Sequence, residues 1–270
     1  MSLPFLQPYF GLSNSLQTAQ ASGAVSGATR GVFGGGYTGS ASNVMDYITI
    51  ATTGNATDFG DLSVTRTSPC GVNSDTRGVF LGGCTGATSN VIDYITIATT
   101  GNATDFGDLT TVRTRGGGVN SSTRGVYGGG DLVCQGPSSN SAVIDYITIA
   151  TTGNTTSFGN LTVGRRSAGG GVNSDVRGVF SGGYSTSPSN VLDYITIATT
   201  GNATDFGDLT VGKYHAGGVN SNVRGGFGGG VDSGISNLID YITIATTGNA
   251  TDFGDLSVAR DVVSGVQNGL

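Results

Sequence analysis

The chain contains no tryptophan and no glutamate, one lysine (Lys213) and one histidine (His215). Glu, Lys, Ala and Leu are the residues that populate surface helices, so a chain whose eighteen acidic residues are all Asp is poor helical material. Basic residues are also few. Twelve Lys and Arg against those eighteen carboxylates give a net charge of −6 and leave no basic stripe to neutralise a phosphate backbone, which excludes nucleic acid as a partner. Residues 1 to 20 carry neither a cationic n-region nor a long apolar run, so no secretory signal and no membrane insertion are expected. That places synthesis in the cytoplasm.

Cysteine is scarce as well. Cys70, Cys84 and Cys134 are odd in number and lack CxxC spacing or a clustered His, so the expected reading is free thiols packing as small hydrophobes. A Cys70–Cys84 bridge is the alternative in an oxidising compartment. Proline is rare, with five residues, but glycine is abundant, with 49. The combined share stays below that of disordered low-complexity chains, and the glycines recur at fixed positions, which marks turns.

What is present is a repeat. Arg-Gly-(Val/Gly)-(Phe/Tyr) starts at Arg30, Arg77, Arg124, Arg177 and Arg224, spaced 47, 47, 53 and 47 residues apart. Asp-Tyr-Ile-Thr-Ile starts at Asp46, Asp93, Asp145, Asp193 and Asp240, and Phe-Gly-(Asp/Asn)-Leu at Phe59, Phe106, Phe158, Phe206 and Phe253. Each unit resolves into four strands, a to d, as in the second copy: Gly71–Asn73, Arg77–Phe80, Asn90–Thr99 and Asp105–Arg113. Asn73 to Thr76 is a polar turn, Gly82-Gly83 ends strand b, and Gly101-Asn102 is a hairpin signal between c and d. Strand c puts β-branched or aromatic groups on both faces, and one unit cannot cover both alone. Stacking the units radially lets each cover the next.

The expected fold is therefore all-β: a five-bladed β-propeller of four-stranded antiparallel blades. The repeats run about 20–66, 67–113, 114–166, 167–213 and 214–260, after an N-terminal tail (1–19) and before a closing strand (261–270). Either end can supply closure, since Tyr9 to Leu12 echoes the start of strand d and Val263 to Val266 echoes strand a. The double Gly after strand b, the aromatic in c, the aromatic before Leu in d and the basic residue ending d (Arg66, Arg113, Arg165, Lys213, Arg260) resemble the kelch repeat, with Phe where kelch usually has Trp. The phrase from Asn90 to Leu109 is similar to repeats in virion-associated proteins of marine tailed bacteriophages. That resemblance implies a virion location and a structural or host-recognition role.

Antiparallel blades place the b–c and d–a loops on one rim and the a–b and c–d loops on the other. The second rim is nearly identical in every copy, whereas the first varies, which is the layout of a recognition surface on a rigid frame. Ligand-binding candidates there are Tyr37, Arg115, Asp131, Arg166, Tyr184, Tyr214, His215 and Asp232. In the tail, Phe5, Tyr9 and Phe10 are candidates for docking a partner. Fifteen repeated aromatics, Tyr47, Phe59, Phe33 and their copies, are expected in the core.

Repetition argues against catalysis, because an asymmetric active site needs residues that differ between copies. No catalytic constellation, cofactor or metal site is assigned, and the lone His215 reads as structural or solvated. Asp58 and Asp61 read as turn caps, against a Ca²⁺ reading with Asn55. Asn55 and its copies, all in Asn-x-Thr, read as turn residues and not glycan acceptors. The functional expectation is a non-enzymatic virion protein whose varied rim recognises a host-surface glycan or another virion protein. A lectin with repeated sugar sites between blades is the alternative. A propeller glycosidase ranks third, because the Asp-box match stops at Asp58-Phe59-Gly60 and Asp alone would have to serve as acid and base.

Overall fold

The computed structural model describes residues 30–134, 139–167 and 169–263. They contain no helix, and nineteen strands form five antiparallel sheets, one per repeat. Sheet 1 holds β1 (Arg30–Gly34), β2 (Ser42–Thr49) and β3 (Thr57–Arg66). Sheet 2 holds β4 (Cys70–Asn73), β5 (Arg77–Leu81), β6 (Val91–Thr96) and β7 (Thr104–Asp108). Sheet 3 holds β8 (Gly117–Asn120), β9 (Arg124–Gly128), β10 (Val143–Thr148) and β11 (Thr156–Asn160). Sheet 4 holds β12 (Gly169–Asn173), β13 (Arg177–Ser181), β14 (Val191–Thr196) and β15 (Thr204–Asp208). Sheet 5 holds β16 (Gly217–Asn220), β17 (Arg224–Gly228), β18 (Leu238–Thr243) and β19 (Thr251–Asp255). In each sheet the strands neighbour one another in chain order. Sheet 1 has three strands among the described residues where four were expected. Phe5, Tyr9 and Phe10, and the expected closing strand beyond residue 263, lie outside them.

The Phe-Gly signature is a β-bulge. Ile92 pairs with Gly107 but Asp93 with Asp105, so Phe106 is the extra residue on its strand, and the same register shift occurs in all five sheets. Gly107 follows with φ +140, a backbone conformation that side chains avoid. Asp105 caps the bulge by accepting the Gly107 N–H at 3.3 Å. Phe106 meets Tyr94 of its own sheet edge to face, with ring centroids 5.9 Å apart.

The sheets stack face to face and in order through a contact set repeated at four interfaces. A basic residue at the end of the last strand of one sheet, or five residues after it, reaches the Asp of the next: Arg66–Asp93, Arg113–Asp145 at 2.5 Å, Arg165–Asp193 at 2.7 Å and Lys213–Asp240 at 2.8 Å. All eight side chains are fully buried. A hydroxyl donates to the same carboxylate from Ser63, Thr110, Thr162 and Thr210. Burial pulls the Arg66 and Arg165 guanidinium groups below the usual arginine value, while the facing Asp93 and Asp193 hold them up.

Farther along each interface the hairpin between third and fourth strands grips the preceding sheet. Gly101 N–H donates to Phe59 O at 2.7 Å, and Asn102 Oδ1 accepts the Asp61 N–H at 3.0 Å. Asn154, Asn202 and Asn249 repeat the second bond. The Arg of the Arg-Gly signature lies over a Tyr of its own sheet in all five sheets, and in sheets 1 to 4 it donates to the next sheet, as Arg77 does to Ile149 O at 2.8 Å. These contacts, with the apolar faces they enclose, bury Phe59, Phe106, Phe158 and Phe206.

Sheet 5 has no such neighbour among the described residues. Of the fifteen aromatics expected in the core, seven are buried, Phe80, Tyr47 and the four copies of Tyr47 are half-buried, and Phe253, 62% exposed, and Phe33 of sheet 1, 56% exposed, are on the surface. Closure of the five sheets into a ring is not part of the described architecture.

Candidate functional site

The first strands of sheets 2 to 5 contact one another in order and line a cavity of about 520 Å³. A side-chain ladder ties them together: Asn120 donates to Asn73 O at 2.9 Å, Asn173 to Asn120 O at 2.8 Å and Asn220 to Asn173 O at 2.6 Å. Next to it lies a pocket of about 420 Å³ lined by Ser68, Arg115, Ser167, His215 and Val262. The first four are equivalent positions in the four links between successive sheets, Val262 is the same position after the last sheet, and each has φ between +50 and +59. Left-handed backbone at five non-Gly residues is uncommon, and it gathers at this pocket. Backbone bonds join Ser167 N to Arg115 O at 2.7 Å, His215 N to Ser167 O at 3.4 Å and Val263 N to His215 O at 3.1 Å.

Six of the eight rim candidates form a chain of contacts whose two ends, Arg115 and His215, line this pocket. Asp131 is almost fully buried and accepts the N–H of Ser139 at 3.0 Å, with Arg115 at 3.7 Å and Arg166 at 3.8 Å from its carboxylate. Arg166 donates to Asn140 Oδ1 at 3.2 Å and lies over the Tyr184 ring, 4.4 Å from its centroid. Tyr184 packs edge-on against Tyr214 at 5.4 Å, and Tyr214 against His215 at 4.8 Å. His215 Nδ1 sits 2.9 Å from an Asp261 oxygen. The result is a continuous band of cations and rings in which Arg115 and His215 stay partly exposed beside the pocket.

Two candidates stand apart. Tyr37 is exposed on the loop of sheet 1, where it forms a backbone bridge to Ala41. Asp232 caps its own turn through the N–H groups of Ser233 and Gly234. Burial raises its carboxyl, but those bonds outweigh it and hold the group below the usual carboxylate value.

The cysteine expectation is corrected. Cys84 and Cys134 form a disulfide with Cα atoms 5.7 Å apart, joining the varied loops of sheets 2 and 3. Cys70 is the free thiol, and its partner in the alternative pairing, Cys84, is engaged elsewhere. The two bridged residues occupy different places in their repeats, so no repeat comparison pairs them. Burial pushes the Cys70 thiol up to about 12, with Arg113 pulling the other way.

The repeated rim is spent on structure. Asp58 Oδ1 accepts the Gly60 N–H at 3.1 Å, and Asn102 and its copies clamp neighbouring sheets. Among the described residues no three His, Cys, Asp or Glu side chains converge on a point where they could hold a metal ion. The buried Arg/Lys–Asp pairs and the Arg–carbonyl bonds went unassigned in the sequence. Their one signal was the joint recurrence of a basic residue ending the fourth strand and an Asp in the next repeat.

No protein-family model matches the chain, and no curated protein matches it in sequence.

Proposed function

We propose that the five sheets are the blades of a kelch-like propeller and that the chain is a non-enzymatic binding protein, carried on a phage particle, whose varied rim takes a host-surface glycan. The observation that carries this reading is the band Arg115–Asp131–Arg166–Tyr184–Tyr214–His215, whose end members Arg115 and His215 line the pocket of about 420 Å³. Tyrosine rings supply flat apolar surface at low entropic cost, and Arg supplies directed donors for hydroxyl or carboxylate oxygens. The Cys84–Cys134 bridge supports a place of action outside the cytoplasm, because disulfides form and persist where the surroundings oxidise.

A second reading has its own support. Two equivalent clefts of about 300 and 270 Å³ lie between sheets, one lined by Phe206, Tyr241, Thr246 and Asn249, the other by Phe106, Tyr146, Thr151 and Asn154. Repeated clefts with an aromatic wall and Thr hydroxyls suit a lectin with several sugar sites.

Glycan-array screening followed by calorimetric titration separates the two. One site per chain, weakened tenfold or more by Tyr214→Ala and by Arg166→Ala, is the outcome expected of the rim. Several equivalent sites untouched by those substitutions would move the binding to the clefts. Retention of a virion protein on the immobilised chain, with no glycan bound, would make the partner a protein.

A further inference from the structure

The pocket of about 420 Å³ at the links runs against the charge of the chain. Eighteen Asp against twelve Lys and Arg make the protein acidic, yet no carboxylate lines this pocket, whereas Arg115 and His215 both do. The charges behind its wall do not balance either. Asp131, almost fully buried, spends one oxygen on the N–H groups of Val133 and Ser139 and holds the other 3.7 Å from Arg115 and 3.8 Å from Arg166. One carboxylate between two guanidinium groups leaves a positive charge in excess.

The two arginines are not equally engaged. Arg166 donates to Asn140 Oδ1 and lies on the Tyr184 ring, with its side chain 20% exposed. The Arg115 side chain is 40% exposed, and its ion pair with Asp131 is too long for a hydrogen bond, so its planar fork of donors can take a second anion. The backbone beneath is already set, because Arg115 O accepts from Ser167 N and Ser167 O from His215 N. Pro69, Ala216 and Val263 supply apolar wall, beside which an ion pair is screened less than in open water. Ser68 and Ser167 bring hydroxyls suited to sugar oxygens.

We propose that this pocket is a subsite for an acidic group and that the glycan taken by the rim is an acidic one. Its sugar carries a carboxylate or a sulfate ester, seated against Arg115 beside His215, and extends toward Tyr214, which packs on His215. The inference rests on the glycan reading of the rim and adds the class of sugar.

His215 is the only histidine of the chain, so its imidazole gives a single magnetic-resonance signal at the pocket itself. The full chain is titrated at fixed pH and matched ionic strength with methyl β-glucuronide, glucose 6-sulfate and methyl β-glucoside. A saturable shift is expected with one or both acids, weaker by about tenfold or more with the neutral glucoside, and lost in Arg115→Gln. The tighter of the two acids tells a carboxylated glycan from a sulfated one. An equal response to the glucoside, no response to either acid, or an undiminished response in Arg115→Gln overturns the acidic subsite. The glycan array separates this failure from that of the rim reading. Retained glycans that are neutral and are weakened by Tyr214→Ala leave the rim reading standing and overturn the acidic class. An array that retains no glycan sinks the rim reading, and the sugar class with it.

Discussion

Arg113 and Asp145 are both fully buried, and each is tolerable only because the other is there. The guanidinium also donates to Gly129 O and Val143 O, and Thr110 donates to the carboxylate, so the pair is embedded in a network. Removing one charge leaves the other without compensation, and Arg113→Ala is expected to cost about 3–5 kcal/mol in denaturant unfolding, most of it from the stranded Asp145. Cys70 is a second residue whose surroundings set its chemistry. Its folded value is raised from near 9 to about 12, so its contribution to stability is fully present below pH 9 and is lost as the pH climbs toward 12. Cys70→Ala is expected to flatten the alkaline limb of the stability profile, measured by melting between pH 8 and 11. Iodoacetamide should label position 70 more slowly in the folded protein than in the unfolded one, because the raised value keeps the thiol protonated. At this scale the sequence was partly legible. The Asp turn caps were readable because an Asx turn is a local event, whereas the Arg–Asp pairs join residues from different repeats and leave no local trace.

At the scale of the element, period and turn chemistry gave one antiparallel sheet per repeat, because hairpins are closed by residues adjacent in sequence. The bounds of the third and fourth strands came out too long. β6 ends at Thr96, where the c–d turn begins, and β7 ends at Asp108, after which Leu109 bonds instead to Asn90 O at 2.8 Å. The bulge at Phe106 was not foreseen either, although it explains why Phe is always followed by Gly. The b–c loops are tied by a link that no periodicity encodes, the Cys84–Cys134 bridge across 50 residues. Closing a loop of that length restrains the unfolded chain by up to about 4 kcal/mol on the entropic account. Reduction, or joint replacement of Cys84 and Cys134 by Ser, is expected to lower the unfolding free energy by no more than that while leaving the far-ultraviolet circular dichroism unchanged. A disturbed β spectrum would mean that the bridge organises the sheets and not only the loops.

At the scale of the molecule, counting repeats gave the number of sheets, because each copy carries a complete set of strand and turn signals. It could not say whether the ring closes, since closure depends on how far each sheet rotates from the last, a quantity spread over many small packing contacts. The rim was legible as variable and therefore as a candidate, but its convergence on one pocket comes from the left-handed links, which repeat comparison does not flag. The interchangeable interfaces carry a cost in assembly. Because Arg66, Arg113, Arg165 and Lys213 each fit an almost identical acceptor, a chain emerging from the ribosome offers several near-degenerate docking choices for every newly made sheet. Nearest-neighbour order is then imposed by the short links between repeats, which make the adjacent acceptor the one reached first, so fidelity of assembly rests on tether length and not on molecular discrimination.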